Sequence, residues 1–268
     1  MFEFGEKQKA VLEEMLKSLS LQDTVKEVEK HLNDFFLHLN VQPEERKTFV
    51  KRTLQICAKK ASLEEIEKEL KSFYSGKGLS EKIKESLSGR SEKIFNQVKD
   101  FVEGKSVLDI GSGNGKVAEF ISKTGKKIEL CDILDYNKSC LPVKVYNDNS
   151  PLPYKNKSFD TSLLLTVLHH SNKPLWLFDE ARRVTKNRII VIETTYLTES
   201  ERKVNSFFDW FNNRILNDEL PVPLNFKSLQ EWKKIFHFSE WVLTKEIDLG
   251  IDQPTAPEHH FLFVLDRN

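Results

Sequence analysis

Residues 106–120 have the sequence SVLDIGSGNGKVAEF, and the fold of most of the chain follows from this stretch. The apolar run 107–110 predicts a buried strand, and the apolar positions after the glycines have helical spacing. Gly111, Gly113 and Gly115 allow a tight turn and let a ligand approach the backbone with no Cβ in the way. The following helix points its N-terminal N–H groups at that ligand. The stretch therefore predicts the start of a nucleotide-binding α/β sheet.

The spacing of the glycines separates this turn from the dinucleotide fingerprint Gly-x-Gly-x-x-Gly. The third glycine comes one position early, and Lys116 stands where the fingerprint requires Gly or Ala. Asp109 precedes the first glycine by two residues, and its carboxylate would repel a pyrophosphate but suit a cationic amino group. A nicotinamide-dependent oxidoreductase therefore conflicts with both Lys116 and Asp109.

The pattern Asp-x-Gly-x-Gly-x-Gly at residues 109–115 resembles the first motif of class I S-adenosylmethionine-dependent methyltransferases. The resemblance covers residues 91–268 and implies an α/β, Rossmann-like, doubly wound sheet of seven mostly parallel strands with the last one antiparallel. It implies S-adenosylmethionine as the cofactor and a methyltransferase domain over residues 79–268. It also implies cofactor contacts in the first strand and turn, at Asp109, Gly111, Ser112, Gly113 and Gly115.

An acid ends the second predicted strand, residues 127–133. Asp132 lies about twenty residues past the glycines, where a carboxylate is placed to accept hydrogen bonds from both ribose hydroxyls. Only residues 133–142 separate this acid from the next predicted strand, which is short for a crossover helix. We therefore expect a turn or a single helical turn after Ile133.

Residues 146–160 resemble the adenine-binding stretch of the small-molecule methyltransferases that include the ubiquinone- and menaquinone-biosynthesis enzymes. The resemblance implies that Asp148 and Asn149 contact adenine. It also implies cofactor contacts for Ile133, after the ribose acid, and for Thr166, at the end of the fourth strand. For Asp132, an ordinary aspartate at a strand end is the structural alternative.

Three titratable residues follow the predicted strands at the edge where ligands bind. His169 and His170 come after the fourth strand, near the expected position of the transferred methyl group. Imidazole is well matched to proton abstraction at neutral pH, and shaping the pocket is the alternative role. Glu193 ends the fifth strand and is a further candidate for substrate contact, with a loop or capping role as the alternative.

Composition limits the classes of protein that fit the chain. The 268 residues contain 41 Lys and Arg and 41 Asp and Glu, so zero net charge disfavours nucleic acid as an obligate partner. The first residues lack the pattern of a signal peptide, and no apolar run is long enough to span a membrane. Cys57, Cys131 and Cys140 form no Cys-x-x-Cys pair, which favours reduced thiols in a cytoplasmic protein and no metal site.

Residues 1–78 form a separate, helical addition in this prediction. Apolar residues recur at three-and-four spacing, and Ser62 begins a capping box. The addition covers the substrate site, docks a protein or RNA substrate, or forms a homodimer. The aromatic helix after Thr198 packs against these helices or lines an apolar substrate cavity.

The resulting hypothesis is methyl transfer from S-adenosylmethionine to a small, partly apolar acceptor with an oxygen, nitrogen or carbon nucleophile. Two alternatives stay open. A methyltransferase could act on protein or RNA through its helical addition, or the chain could bind the cofactor without turnover and act as an interaction protein. The discovery of any methylated product would eliminate the second alternative.

Overall fold

A computed structural model of the chain describes residues 6–19, 22–148, 150–216, 222–251 and 257–268. The contacts divide the chain into two compact units. One unit comprises Met1–Ser88, Tyr196–Phe226 and Ile251–His259, and the other comprises Gly89–Thr195, Lys227–Gly250 and His260–Asn268. The predicted boundary after residue 78 does not coincide with this division, which adds two later segments to the N-terminal helices.

Ten α-helices lie within the described residues, and none of these is long and apolar enough to cross a membrane. They are α1 (Glu6–Ser18), α2 (Gln22–His38), α3 (Pro43–Cys57), α4 (Leu63–Tyr74), α5 (Leu79–Ser86), α6 (Arg90–Val98), α7 (Lys116–Ser122), α8 (Pro174–Val184), α9 (Glu199–Trp210) and α10 (Leu229–Ile235). A π-helix, Phe211–Leu216, continues α9, and 3₁₀-helices span Lys99–Phe101 and Leu168–His170.

The second unit is built on a sheet whose strands follow the order β3-β2-β1-β4-β5-β8-β7, with a two-residue strand, β6, beside β5. The strands are β1 (Ser106–Ile110), β2 (Lys127–Asp132), β3 (Val143–Val145), β4 (Phe159–Leu165), β5 (Thr185–Tyr196), β6 (Lys227–Ser228), β7 (Trp241–Ile251) and β8 (His259–Arg267). Strands β1 to β5 are parallel to one another. The predicted Rossmann-like α/β fold is confirmed, with β6 as an addition to the seven predicted strands.

The last strand, β8, runs antiparallel to both of its neighbours. Arg188, early in β5, binds Asp266 late in β8, whereas Thr194, late in β5, lies 3.2 Å from His260 early in β8. On the other side, the Asn268 N–H donates to the Glu240 carbonyl. The carboxyl ends of β1, β2, β4 and β5 therefore share one edge of the sheet with the beginning of β8.

The two faces of this sheet bury separate apolar cores. Alternate residues of β5 divide between them, with Ile189 and Val191 on one face and Ile190 and Ile192 on the other. Helices α8 and α10 cover the first face, and α6 and α7 cover the second. A central parallel strand that is buried on both sides is expected to be continuously apolar, as residues 189–192 of β5 are.

The helical unit has its own core, to which α1 to α5, α9 and the π-helix all contribute. Aromatic rings dominate it: Phe36 contacts Phe49, Tyr74 and Phe211 at centroid distances between 5.2 and 6.4 Å. The predicted packing of the aromatic helix against the N-terminal helices is therefore found within this unit. The predicted capping box at Ser62 is also present at the start of α4.

A buried carboxylate connects α4 to the end of α9 inside the helical unit. Glu67 accepts hydrogen bonds from Trp210 Nε1 at 2.9 Å and from Arg214 Nε at 3.2 Å. All three residues are buried, so the ion pair is little screened by solvent. This contact holds the π-helix, which contains Arg214, against the N-terminal helices.

We expect Glu67→Ala to lower the free energy of unfolding of the helical unit by about 3–5 kcal/mol, because it leaves a buried guanidinium without its carboxylate. The matched control is Glu69→Ala, because Glu69 lies two residues after Glu67 on the same helix. Glu69 pairs with Arg52 at the surface, and its loss is expected to cost less than about 1 kcal/mol. Urea unfolding followed by tryptophan fluorescence measures both, and equal effects would contradict the prediction.

Candidate cofactor and methyl-transfer site

The glycine turn is attached to the end of the neighbouring strand β2. The N–H groups of Gly111 and Ser112 both donate to the Cys131 carbonyl, at 2.8 and 3.2 Å. Gly111, Gly113 and Gly115 all have positive φ, at 69°, 53° and 70°, which side-chain-bearing residues rarely adopt. Gly115 is the residue from which α7 begins, so the turn leads directly to that helix N-terminus.

The space around the three glycines distinguishes their roles. A Cβ on Gly111 would lie 2.1 Å from Val167 Cγ2, and a Cβ on Gly115 would lie 2.5 Å from Asn137 Oδ1. A Cβ on Gly113 would meet no atom within 4 Å. Two glycines are therefore required by neighbouring protein atoms, and Gly113 borders open space. Val167 and Asn137 had no signal in the sequence, because they reach the turn only through the fold.

We expect Gly111→Ala and Gly113→Ala to separate stability from cofactor binding. Positive φ costs both variants about 1–2 kcal/mol, and only Gly111→Ala adds a collision with Val167. Gly113→Ala is expected to weaken S-adenosylhomocysteine binding at least about tenfold, or about 1.4 kcal/mol, because its methyl group enters the ligand's space. Thermal unfolding and calorimetric titration measure the two effects. Unchanged affinity in Gly113→Ala would show that this space does not hold the ligand.

Asp132 lies where β2 ends, and its carboxylate is bound by backbone N–H groups. Oδ2 accepts from Gly113 at 2.8 Å, and Oδ1 accepts from Ile133 at 2.7 Å and Leu134 at 3.5 Å. The first bond joins the acid to the glycine turn. Burial raises the pKa of Asp132, and the three N–H groups partly oppose that shift.

Asp109 lies in β1 beside β2 and is only 2% exposed. Burial, together with the charge of Asp132, raises the pKa of Asp109 to about 7. The described residues place no hydrogen-bond donor on this carboxylate. Ser112, within the turn, has a buried hydroxyl oxygen that also lacks a partner among the described residues. Both groups lie at the turn that borders the open space beside Gly113.

The connection between β2 and β3 contains no helix, as the short predicted crossover implied. Side chains organise it instead: Asn137 Nδ2 donates to the Leu141 carbonyl at 2.5 Å, and Ser139 Oγ donates to Asn137 Oδ1 at 2.7 Å. The Lys138 N–H donates to the Asn114 carbonyl in the glycine turn. The connection therefore supports the turn that it follows.

The predicted adenine contacts follow β3. Asp148 is half-buried, and its Oδ2 accepts from Asn172 Nδ2 at 3.4 Å. Tyr146, just after β3, donates its backbone N–H to the Asp132 carbonyl at 3.0 Å, which places this segment beside the ribose acid. Asn149 lies outside the described residues. The adenine role of Asp148 and Asn149 stays a prediction.

Thr166 follows β4 and has a φ of 57°, which is unusual for a β-branched residue. Its backbone N–H donates to the Ile192 carbonyl, and its hydroxyl accepts from Arg90 Nη2 at 3.2 Å. Strain of this kind costs about 1–3 kcal/mol and is found preferentially at functional sites. Arg90, at the start of α6, was not selected from the sequence.

His169 and Glu193, both predicted candidates, form a buried pair. Glu193 is completely buried, and its Oε2 lies 2.6 Å from His169 Nδ1. Its Oε1 accepts the Leu168 N–H at 2.6 Å. An ionised carboxylate only accepts, so Nδ1 carries the hydrogen and Nε2 is the proton-accepting nitrogen. The His170 ring lies 4.2 Å from the His169 ring.

Residues 108–192 match a family model described as a methyltransferase domain. This range contains β1 to β4, most of β5, the glycine turn, Asp132 and the histidine pair. No curated protein matches the chain in sequence.

Solved structures with the same fold have low sequence identity to the chain. Geranyl diphosphate C-methyltransferase from Streptomyces coelicolor A3(2), in complex with S-adenosyl-L-homocysteine, is 14% identical, with a TM-score of 0.53 over 71% of this chain and 84% of that one. A SAM-dependent methyltransferase from Thermotoga maritima, described as a possible histamine N-methyltransferase, is 18% identical, with a TM-score of 0.50 and coverages of 72% and 97%.

The matched domain, the sheet order and the glycine turn together define the class: the chain carries a class I methyltransferase domain. The methyltransferase domain indicates an enzyme that takes a methyl group from S-adenosylmethionine. The residues present fit that cofactor, because the turn offers open space at Gly113 and a Ser112 hydroxyl without a partner among the described residues. Two buried carboxylates, Asp109 and Asp132, precede the turn in β1 and end the adjacent strand β2. Bound there, S-adenosylmethionine supplies a methyl group on a positively charged sulfur.

Proposed function

We propose that this methyltransferase acts on a small, partly apolar acceptor whose nucleophilic atom carries a proton. The observation that carries the proposal is the buried His169–Glu193 pair after β4, at the same sheet edge as the glycine turn. Such a pair is useful to an acceptor that must lose a proton, and unnecessary for one that is already a nucleophile. Two neighbours of the same fold are named for small-molecule acceptors, which agrees with this class.

In this proposal, separate groups of residues bind the cofactor and accept the proton. Asp132 accepts from the ribose hydroxyls and Asp148 and Asn149 from the adenine edge. Gly113 gives the methionine part access to the backbone, whereas Gly111 and Gly115 allow the turn to pack against protein atoms. Ser112, Ile133 and Thr166 complete the predicted contacts. His169 Nε2 takes the acceptor's proton, and Glu193 holds the ring and stabilises its charged form. Alignment of the reactants contributes up to roughly 7–11 kcal/mol in ideal cases.

The helical unit is proposed to serve acceptor recognition, and the chain is proposed to be cytoplasmic. Docking of a protein or RNA substrate, or formation of a homodimer, are the other uses of this unit. Nothing in the zero net charge favours RNA.

The test begins with calorimetric titration of the full chain with S-adenosylmethionine and S-adenosylhomocysteine. Formation of S-adenosylhomocysteine from S-adenosylmethionine is then measured with separate panels of phenols, amines and apolar carboxylic acids. Turnover with a member of one panel supports the proposal. Binding without turnover on any small molecule, but with methylation of added RNA or protein, would overturn the small-acceptor class. A folded protein that binds neither cofactor form would overturn the whole site.

A further inference from the structure

Two carboxylates are buried near the carboxyl ends of the adjacent parallel strands β1 and β2. Asp109 is 2% exposed and Asp132 is 7% exposed, and the charge of Asp132 acts on Asp109. Burial of one carboxylate disfavours its ionised form, and a second carboxylate nearby disfavours it further. A pair of this kind holds its last proton to a higher pH than an isolated acid does.

The hydrogen bonds of the two acids show which one keeps the proton. Asp132 accepts from three backbone N–H groups, and each of them favours its ionised form. Asp109 receives no such donor from the described residues. The proton therefore resides on Asp109, and Asp132 stays ionised to receive the ribose.

No described cation next to Asp109 compensates its charge. On β2 its partner in the register is the apolar Leu130, and Cys131 lies in the core on the other face of the sheet. The charge that acts on Asp109 from β2 is the negative charge of Asp132. On β4 its partner in the register is Leu163. On α7, Lys116 is 2.8 Å from Glu119, its own ion-pair partner. Two other titratable groups lie on these strands. Glu129 on β2 is opposite Leu108 in the register, and Asp160 on β4 accepts a hydrogen bond from the Ser106 N–H.

We propose that, on the acid side of neutrality, Asp109 is protonated in the ligand-free protein and releases this proton to solvent when the ammonium group of the cofactor's amino acid part binds. The ammonium supplies the positive charge that the site lacks, so the ionised carboxylate becomes the favoured form. Cofactor binding is then coupled to the loss of one proton. The inference rests on the cofactor and its site, and not on the proposed acceptor.

The coupling gives affinity a defined dependence on pH. The pKa of Asp109 is raised to about 7, so below that value the ligand must displace a proton. The dissociation constant for S-adenosylhomocysteine then rises up to about tenfold for each unit that the pH falls below 7. Above about pH 7 Asp109 is already ionised, and this dependence disappears.

The experiment is calorimetric titration of the full chain at about pH 6, in two buffers with different enthalpies of ionisation. The difference in observed heat gives the number of protons released. S-adenosylhomocysteine is the probe, because its amino group is fully protonated at this pH. 5′-Methylthioadenosine is the control ligand, since it has the adenosine and sulfur but no ammonium. The variants are Asp109→Asn and, as a matched control on β2, Glu129→Gln.

We expect close to one proton released per S-adenosylhomocysteine in the unaltered protein and in Glu129→Gln. No release is expected with 5′-methylthioadenosine or with Asp109→Asn. Binding without proton release in the unaltered protein would overturn the inference and leave the methyltransferase intact. Release that persists in Asp109→Asn, or with 5′-methylthioadenosine, would also overturn it. Absence of binding by the folded, unaltered chain would overturn the cofactor site itself.

A second measurement covers the case in which Asp109→Asn fails to fold. The dissociation constant of the unaltered protein for S-adenosylhomocysteine is measured between about pH 6 and pH 8. A steep dependence below about 7 that becomes flat above it supports the coupling. A dissociation constant that is constant across this range would overturn it.

Discussion

An Asp132→Asn variant is expected to bind S-adenosylhomocysteine about 100- to 10,000-fold more weakly than the unaltered protein. The carboxylate is proposed to accept from two ribose hydroxyls, and a hydrogen bond to a charged group contributes about 1.5–3 kcal/mol. An amide has only one oxygen, so it also cannot accept from both Gly113 and Ile133. At about 1.4 kcal/mol for each tenfold change in affinity, the loss of the two ribose hydrogen bonds gives the stated range. Calorimetric titration measures it.

Glu129→Gln is a suitable control for this variant, because Glu129 lies in the same strand and pairs with Lys127 at 3.9 Å. Its affinity is expected to equal that of the unaltered protein. The thermal unfolding of both variants identifies any loss that comes from misfolding. A folded Asp132→Asn protein with unchanged affinity would remove Asp132 from the ribose site.

A Glu193→Gln variant is expected to lose about 100- to 10,000-fold in kcat with any acceptor that the panels identify. The Gln amide can donate to His169 Nδ1, so the ring hydrogen moves to Nε2 and that nitrogen no longer accepts a proton. The rate should fall without a comparable change in KM, because the pair is proposed to act on the transferred proton.

Two further variants separate a positioning role for Glu193 from simple structural support. Glu193→Asp keeps the charge and should restore part of the lost rate. His170→Ala removes the neighbouring ring without changing the His169–Glu193 bond, and its effect should be much smaller. Affinity for S-adenosylhomocysteine reports on the intact fold in all three. Full activity in a folded Glu193→Gln protein would show that His169 is not the base.

The cofactor turn was predictable because its signals are local. Gly111, Gly113 and Gly115 need positive φ within five residues, and the chain around them has a strand pattern on one side and a helical one on the other. The strand order followed from the resemblance rather than from residue spacing. The distinction between Gly113 and its two neighbours was not predictable, since it depends on side chains that approach from residues 137 and 167.

In the proposed methyl-transfer site, the contact between His169 and Glu193 could not be predicted from the sequence. Both residues were candidates from their positions after strands, but 24 residues separate them in sequence. Their contact exists because β4 and β5 are adjacent and parallel, which brings their carboxyl ends together. The packing of α9 was similarly undecided, because aromatic residues occupy more than one of its faces.

The core of the helical unit is completed by α9, which begins more than a hundred residues after α5 ends. Phe207, Phe208 and Phe211 are completely buried there, in the same core as α1 to α5. A ribosome therefore releases the N-terminal helices long before the segment that completes their interior is made. Helices α1 to α5 reach their native packing only after α9 has been synthesised, and during that interval their apolar surface is available to chaperones.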